Sequence, residues 1–183
     1  SADAPAWSPD GSLIAFDGVL NSDTLDDLFL VTVNNLPQQT QLTTQPGPDC
    51  YASFSPDGTQ IVYRSERDNN SDLYVISLDG EEVARLTDHP LADYESAWSP
   101  DGKQIAFVSG RTGNSEIFVM DADGSNLRQL TDLRGLDWRP VWSPDGNWIA
   151  FESWRNGNGD LYLMAADGSD LQQLTENPAE DGH

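Results

Sequence analysis

The chain has 183 residues, enough to bury a real core, and carries 31 acidic against 9 basic side chains for a net charge of −22. That sign excludes an uncomplexed nucleic-acid binder, which must neutralise phosphates with Lys and Arg. No run approaches the roughly 18 apolar residues of a membrane span, and Cys50, the only cysteine, can form no internal disulfide.

The first predicted strand surrounds Trp7 and runs into Ser8-Pro9-Asp10-Gly11. This is a tight-turn sequence, because proline presets φ and glycine accepts the positive φ that hairpin turns require. Ile14-Ala15-Phe16 predicts a second strand, Asp27-Leu28-Phe29-Leu30 a third, and the unit closes on Leu42-Thr43. The same landmarks return as Phe54, Ser55-Pro56-Asp57-Gly58, Ile61-Val62-Tyr63, Asp72-Leu73-Tyr74-Val75 and Leu86. They return again as Trp98, Ser99, Ile105-Ala106-Phe107, Glu116-Ile117-Phe118-Val119 and Leu130. The last set is Trp142, Ser143, Ile149-Ala150-Phe151, Asp160-Leu161-Tyr162-Leu163 and Leu174. The period is about 44 residues.

Each apolar run is short, rich in β-branched and aromatic residues, and bounded by turn residues, which predicts strands rather than helices. In the third unit the four strands, A to D, are expected around Trp98, from Ile105 to Ser109, from Glu116 to Met120 and from Leu127 to Thr131. The two central strands are apolar at both alternating positions, so both faces of the small sheet must be covered, and copies of the sheet must stack on one another. The expected fold is all-β, a β-propeller of four-stranded antiparallel blades with four blades per chain. The blades fall at about 1–44, 45–88, 89–132 and 133–176, and 177–183 opens the next inter-blade loop.

The aromatic-Ser-Pro-Asp-Gly, Ile-Ala-Phe, acid-Ile-Phe-Val and Leu-Thr series resembles the TolB-type propeller repeat over essentially the whole chain. Related blades occur in the propeller domains of prolyl-oligopeptidase-like enzymes. The resemblance implies a blade fold and an extracytoplasmic, periplasmic bacterial setting. It leaves function open, since fold does not imply function.

The A–B and C–D connections are tight turns at one end of each blade, and the longer B–C and D–A loops share the other, where binding residues gather. An acid follows each Leu-Thr threonine by six residues, at Asp49, Asp93, Asp137 and Asp181. Arg67, Arg111 and Arg155 occupy equivalent B–C positions in three units. One expectation is that these acids and arginines brace the loops. The other is a set of carboxylates able to take up Ca2+ through hard oxygen ligands. The first unit lacks the arginine and carries Asp23, Asp26 and Asp27, leaving local negative charge unpaired. Tyr51, Tyr94 and Trp138 in successive D–A loops and Trp154 in a B–C loop, with Arg139 and Arg155 alongside, are of the types that dominate binding hot spots. Packing beneath neighbouring loops is the alternative for the two indoles.

His89 and His183 are the only histidines, so no Ser-His-Asp set is readable, and no glycine-rich phosphate loop enters a helix. A non-catalytic module docking a protein or peptide is therefore expected. The alternatives are a small-ligand or cation-binding propeller, or a propeller fragment of a larger peptidase-type enzyme. The start at Ser1 suits a processed or excised piece. A homodimer is expected in which the fourth blade of each chain packs on the first blade of the other, completing an eight-bladed ring with no exposed blade face. On that reading Leu28 and Leu30 lie on the open face of the first blade.

Overall fold

A computed structural model of the chain describes residues 2–19, 25–33, 37–132 and 135–176, with the backbone alone for 2 and 3. Among them are sixteen strands and no helix. Blade 1 comprises β1 (Ala2–Trp7), β2 (Leu13–Gly18), β3 (Asp27–Thr32) and β4 (Gln39–Gln41). Blade 2 comprises β5 (Asp49–Phe54), β6 (Gln60–Ser65), β7 (Asp72–Ser77) and β8 (Glu82–Arg85). Blade 3 comprises β9 (Asp93–Trp98), β10 (Gln104–Ser109), β11 (Glu116–Asp121) and β12 (Arg128–Gln129). Blade 4 comprises β13 (Asp137–Trp142), β14 (Trp148–Ser153), β15 (Asp160–Ala165) and β16 (Gln172–Gln173). Each blade is one antiparallel meander in chain order, as the repeat predicts.

Two compact units, Ser1–Ser96 and Ala97–His183, divide within β9. In the first, Leu28, Leu30 and Leu42 of blade 1 share a buried cluster with Phe54, Ile61 and Tyr63 of blade 2. This corrects the placement of Leu28 and Leu30 on an open face: they lie beneath blade 2. In the second unit Phe107, Ile117, Met120, Ile149, Phe151 and Met164 are fully buried. The Trp142 indole N–H donates to the Ala97 carbonyl at 3.1 Å, joining blades 3 and 4. Each such aliphatic side chain contributes about 1.5–3 kcal/mol on burial.

The repeated turn has a closed hydrogen-bond pattern. In blade 2 the Ser55 hydroxyl donates to Asp57 Oδ1 at 2.6 Å and accepts from the Gln60 amide at 3.0 Å. Asp57 Oδ1 also accepts from the Thr59 amide at 3.0 Å, and Gly58 closes the turn at φ +71°. The Ser8, Ser99 and Ser143 turns repeat this pattern. Donors aimed at an ionised carboxylate favour its charged form; they hold Asp10 at about 2 and place Asp57, Asp101 and Asp145 below the usual range.

Strand D is shorter than its sequence suggests, two residues in blade 3 against the expected Leu127 to Thr131. Its outer edge has no neighbour in the sheet, and Leu127, Arg128 and Gln129 are exposed.

Candidate docking face

Strand A carries a β-bulge at the loop-rich end of the blade. Its register shifts between Asp3 and Ala6, Cys50 and Ser53, and Trp138 and Val141. Ala4, Tyr51, Glu95 and Arg139 occupy one equivalent position and all have positive φ, from 42° to 59°. Left-handed backbone is costly for a residue with a Cβ. Its recurrence in every blade shows a built feature, and a bulge re-aims the side chain it carries. The acids and aromatics assigned to the D–A loops belong to this strand. Asp49, Asp93 and Asp137 are the first residues of β5, β9 and β13; Tyr94 and Trp138 are second, and Tyr51 is third. Strand A extends further back than its apolar residues indicate, because polar residues also fill the ladder.

In blade 4 the candidate residues gather around Glu152, which the sequence reading missed. Its Oε1 accepts from the Trp154 indole N–H at 2.8 Å, and its Oε2 from Arg139 Nη1 at 3.1 Å. Trp138 lies opposite Glu152 in the ladder. The Glu152 side chain is buried while half of Arg139 stands in solvent. Trp138 is half-buried, with its indole nitrogen enclosed and unbonded. Glu152 was concealed because it directly follows an apolar triplet in a strand buried on both faces. The available signal was that its equivalents vary: Asp17, Arg64 and Val108.

Arg155 lies beneath this group, with its side chain 9% exposed. Its Nη2 donates to both Asp137 oxygens at 3.2 Å and its Nε to Ser153 Oγ at 2.7 Å, while the guanidinium lies 4.3 Å from the Tyr162 ring centroid. Arg67 and Arg111 repeat the arrangement, bonding Ser65 and Ser109 and lying over Tyr74 and Phe118. Arg67 also pairs with Glu82. Each arginine ties its loop to the aromatic pair of strands B and C through charge-assisted and cation–π contacts. The D–A loop of blade 4 approaches so closely that a Cβ on Gly135, at φ +119°, would lie 2.5 Å from the Arg155 backbone.

Asp49 is fully buried, and neither carboxylate oxygen has a formed hydrogen bond. Burial pushes its pKa up; Ser65, Thr43 and Arg67 nearby pull it back only in part. Asp93 is also buried, and Asp181 and Asp23 lie outside the described residues. Asp27 accepts from Gln41 Nε2 at 2.8 Å and from the Thr43 hydroxyl at 3.4 Å, both of them neutral donors. Among the described residues no three His, Cys, Asp or Glu side chains are grouped to hold a metal. Tyr51 is exposed, with the Arg64 guanidinium 5.1 Å from its ring centroid. At the same end of the first unit, Pro46, Pro48, Glu66 and Asn70 help line a cleft of 580 Å³. Cys50 is buried, and its thiol is pushed up to about 11, mainly by burial, so it is no nucleophile at neutral pH.

Four-stranded meanders repeated in tandem, each with a bulged first strand and a braced loop end, define a β-propeller module. The chain belongs to the TolB β-propeller domain family, whose profile matches residues 1–94 and again 88–181. It is similar to a TolB-type structure from Agrobacterium tumefaciens, at 29% identity and a TM-score of 0.85 over 95% of this chain and 65% of that one. It is also similar to TolB from Acinetobacter baumannii, at 25% identity and a TM-score of 0.79 over 96% of this chain and 43% of that one. An uncharacterised protein of Agrobacterium fabrum is 31% identical over 79 residues, 43% of this chain and 26% of that protein. The chain thus spans less than two thirds of the length of each of these relatives. More distant propellers, 17% and 18% identical, include an oligogalacturonate lyase and a puromycin hydrolase; that likeness shows the fold alone.

Proposed function

We propose that the chain is a non-catalytic docking module whose loop-rich, bulge-bearing end binds a protein or peptide. The observation that carries this reading is Arg139, held on a left-handed bulge, bonded to buried Glu152 and half exposed beside Trp154. An arginine and an indole fixed by one carboxylate present a cation and an aromatic edge at little further entropic cost, the composition of an interface hot spot. Tyr51 and Tyr94 stand on strand A at the corresponding end of blades 2 and 3, within the first unit. Panning a random peptide library on the immobilised chain tests it. Enriched peptides should bind the wild type and lose at least tenfold in affinity to a Trp154→Ala/Arg139→Ala variant of unchanged circular dichroism. No enrichment, or equal binding to the variant, removes the reading.

A cation-binding role draws on one observation, the two unbonded Asp49 oxygens. Millimolar calcium would then raise the melting temperature above that in EDTA, since a ligand at about 100 times its Kd adds about 2.7 kcal/mol. Coincident melting curves eliminate it. The TolB resemblance supports an extracytoplasmic, periplasmic bacterial setting. Among the described residues no helix is long and apolar enough to cross a membrane. In a longer peptidase-type enzyme the same face would cover a catalytic site, and the parent reading frame distinguishes that case.

A further inference from the structure

Left-handed backbone is placed selectively in this chain. Among the described residues eleven glycines have positive φ, and so do Asn69, Asn126 and Asp170, of the two residue types that tolerate it best. The other residues in that region are Ala4, Tyr51, Glu95 and Arg139, the four bulge positions of strand A. Glycine would adopt the same backbone without pressing a Cβ against the following carbonyl. Backbone stability alone therefore favours glycine at all four positions, and none has it.

The bulge does not require a large side chain. Blade 1 forms it with Ala4, at φ 42°, and its register shifts as it does in blades 2 and 4. In the other three blades the position carries an aromatic, an acid and a base. Three residues further on, every blade returns to an aromatic: Trp7, Phe54, Trp98 and Trp142. A position strained in its backbone yet varied in its side chain points to what that side chain meets outside the blade. Tyr51 is 45% exposed with the Arg64 guanidinium against its ring, the Arg139 side chain is 48% exposed, and Glu95 is half-buried.

We propose, resting on the docking reading above, that Tyr51, Glu95 and Arg139 are its specificity-determining contacts. Each meets a different chemistry on a protein or peptide partner. Tyr51 takes an apolar side chain, Glu95 a lysine or arginine, and Arg139 a carboxylate. Glu95 stands out by its φ rather than by its residue type. The net charge of −22 favours a basic partner, and Arg139 adds the requirement for an acidic residue within it.

Urea melts provide the first test. Ala4→Gly, Tyr51→Gly and Glu95→Gly should each unfold at a midpoint no lower than the wild type, because strain is removed and no packing residue is lost. A lower midpoint for Tyr51→Gly or Glu95→Gly would make that side chain part of the blade and overturn the proposal. Peptides enriched by panning on the wild-type chain are the binding probe. Ala4→Gly should bind them as the wild type does, whereas Tyr51→Gly and Glu95→Gly should each lose about tenfold in affinity for at least one of them. Panning repeated on Arg139→Glu should enrich basic residues where the wild type enriches acidic ones. A consensus of unchanged charge overturns the proposal. Peptides that bind both Tyr51→Gly and Glu95→Gly as tightly as the wild type also overturn it, and leave the docking reading standing. If no peptide is enriched, both fall.

Discussion

The Thr87 hydroxyl accepts the Leu73 amide N–H at 3.0 Å and donates to the Asp72 carboxylate 3.3 Å away. Thr43 with Asp27, Thr131 with Glu116 and Thr175 with Asp160 repeat the arrangement. One hydroxyl thus locks the end of strand D to the start of strand C, which explains why an acid and a Leu-Thr pair keep their spacing in every blade. Thr87→Val preserves shape but strands the Leu73 N–H and weakens the hold on Asp72. The expected cost is about 1–3 kcal/mol, read as a lower urea midpoint with an unchanged m value. Thr175→Val, at a solvent-exposed bond, should cost less; equal losses would refute the lock.

Asp49 sets a pH dependence whose sign follows from its burial. Its folded pKa is raised above the ordinary 3.8, so the folded chain holds the proton more tightly than the unfolded chain does. The stability this group contributes therefore falls as pH rises from about 3.8 through the raised folded value, and the charged form burdens the fold at neutral pH. Asp49→Asn should raise the melting temperature at pH 7, by a stability gain of about 1–3 kcal/mol. The gain should shrink as pH falls through the same window, and a difference constant from pH 3 to 8 would contradict this account.

Arg155→Lys separates a brace from a docking residue. Lysine keeps the charge but not the planar fork that spans Asp137, Ser153 and the Tyr162 ring. We expect about 1–3 kcal/mol of lost stability in thermal or urea melts. Unchanged stability would return Arg155 to the list of docking residues.

Two glycines with positive φ differ in surroundings. Gly113, at φ +92°, has open space where a Cβ would go, whereas a Cβ on Gly135 would meet the backbone of the facing loop at 2.5 Å. Gly113→Ala should cost about 1–2 kcal/mol for the left-handed backbone alone. Gly135→Ala should cost distinctly more, and equal denaturation midpoints for the two would show that the loops do not press together as described.

Periodicity made the blades legible. Recurrence of Ser-Pro-Asp-Gly, the apolar triplets and Leu-Thr determined the strand number, the meander order and the division into loop-rich and turn-rich ends, because each depends on local turn chemistry and on alternating burial. Candidate residues were legible by type, since Trp, Arg and Asp stand out where a repeat varies. Their roles were decided only by tertiary contacts. Arg155 and Arg139 are the same residue type at one end of one blade, yet Arg155 is enclosed between Asp137 and an aromatic ring while Arg139 is lifted into solvent by a bulge that no single residue announces. Glu152, concealed after an apolar triplet, became visible as a hub only when strand pairing placed it opposite Trp138. The assignment of Leu28 to an open face failed for the same reason. Sequence shows that a strand has two apolar faces, but which of them is left open depends on which neighbour it has, and that is a property of the packed blades.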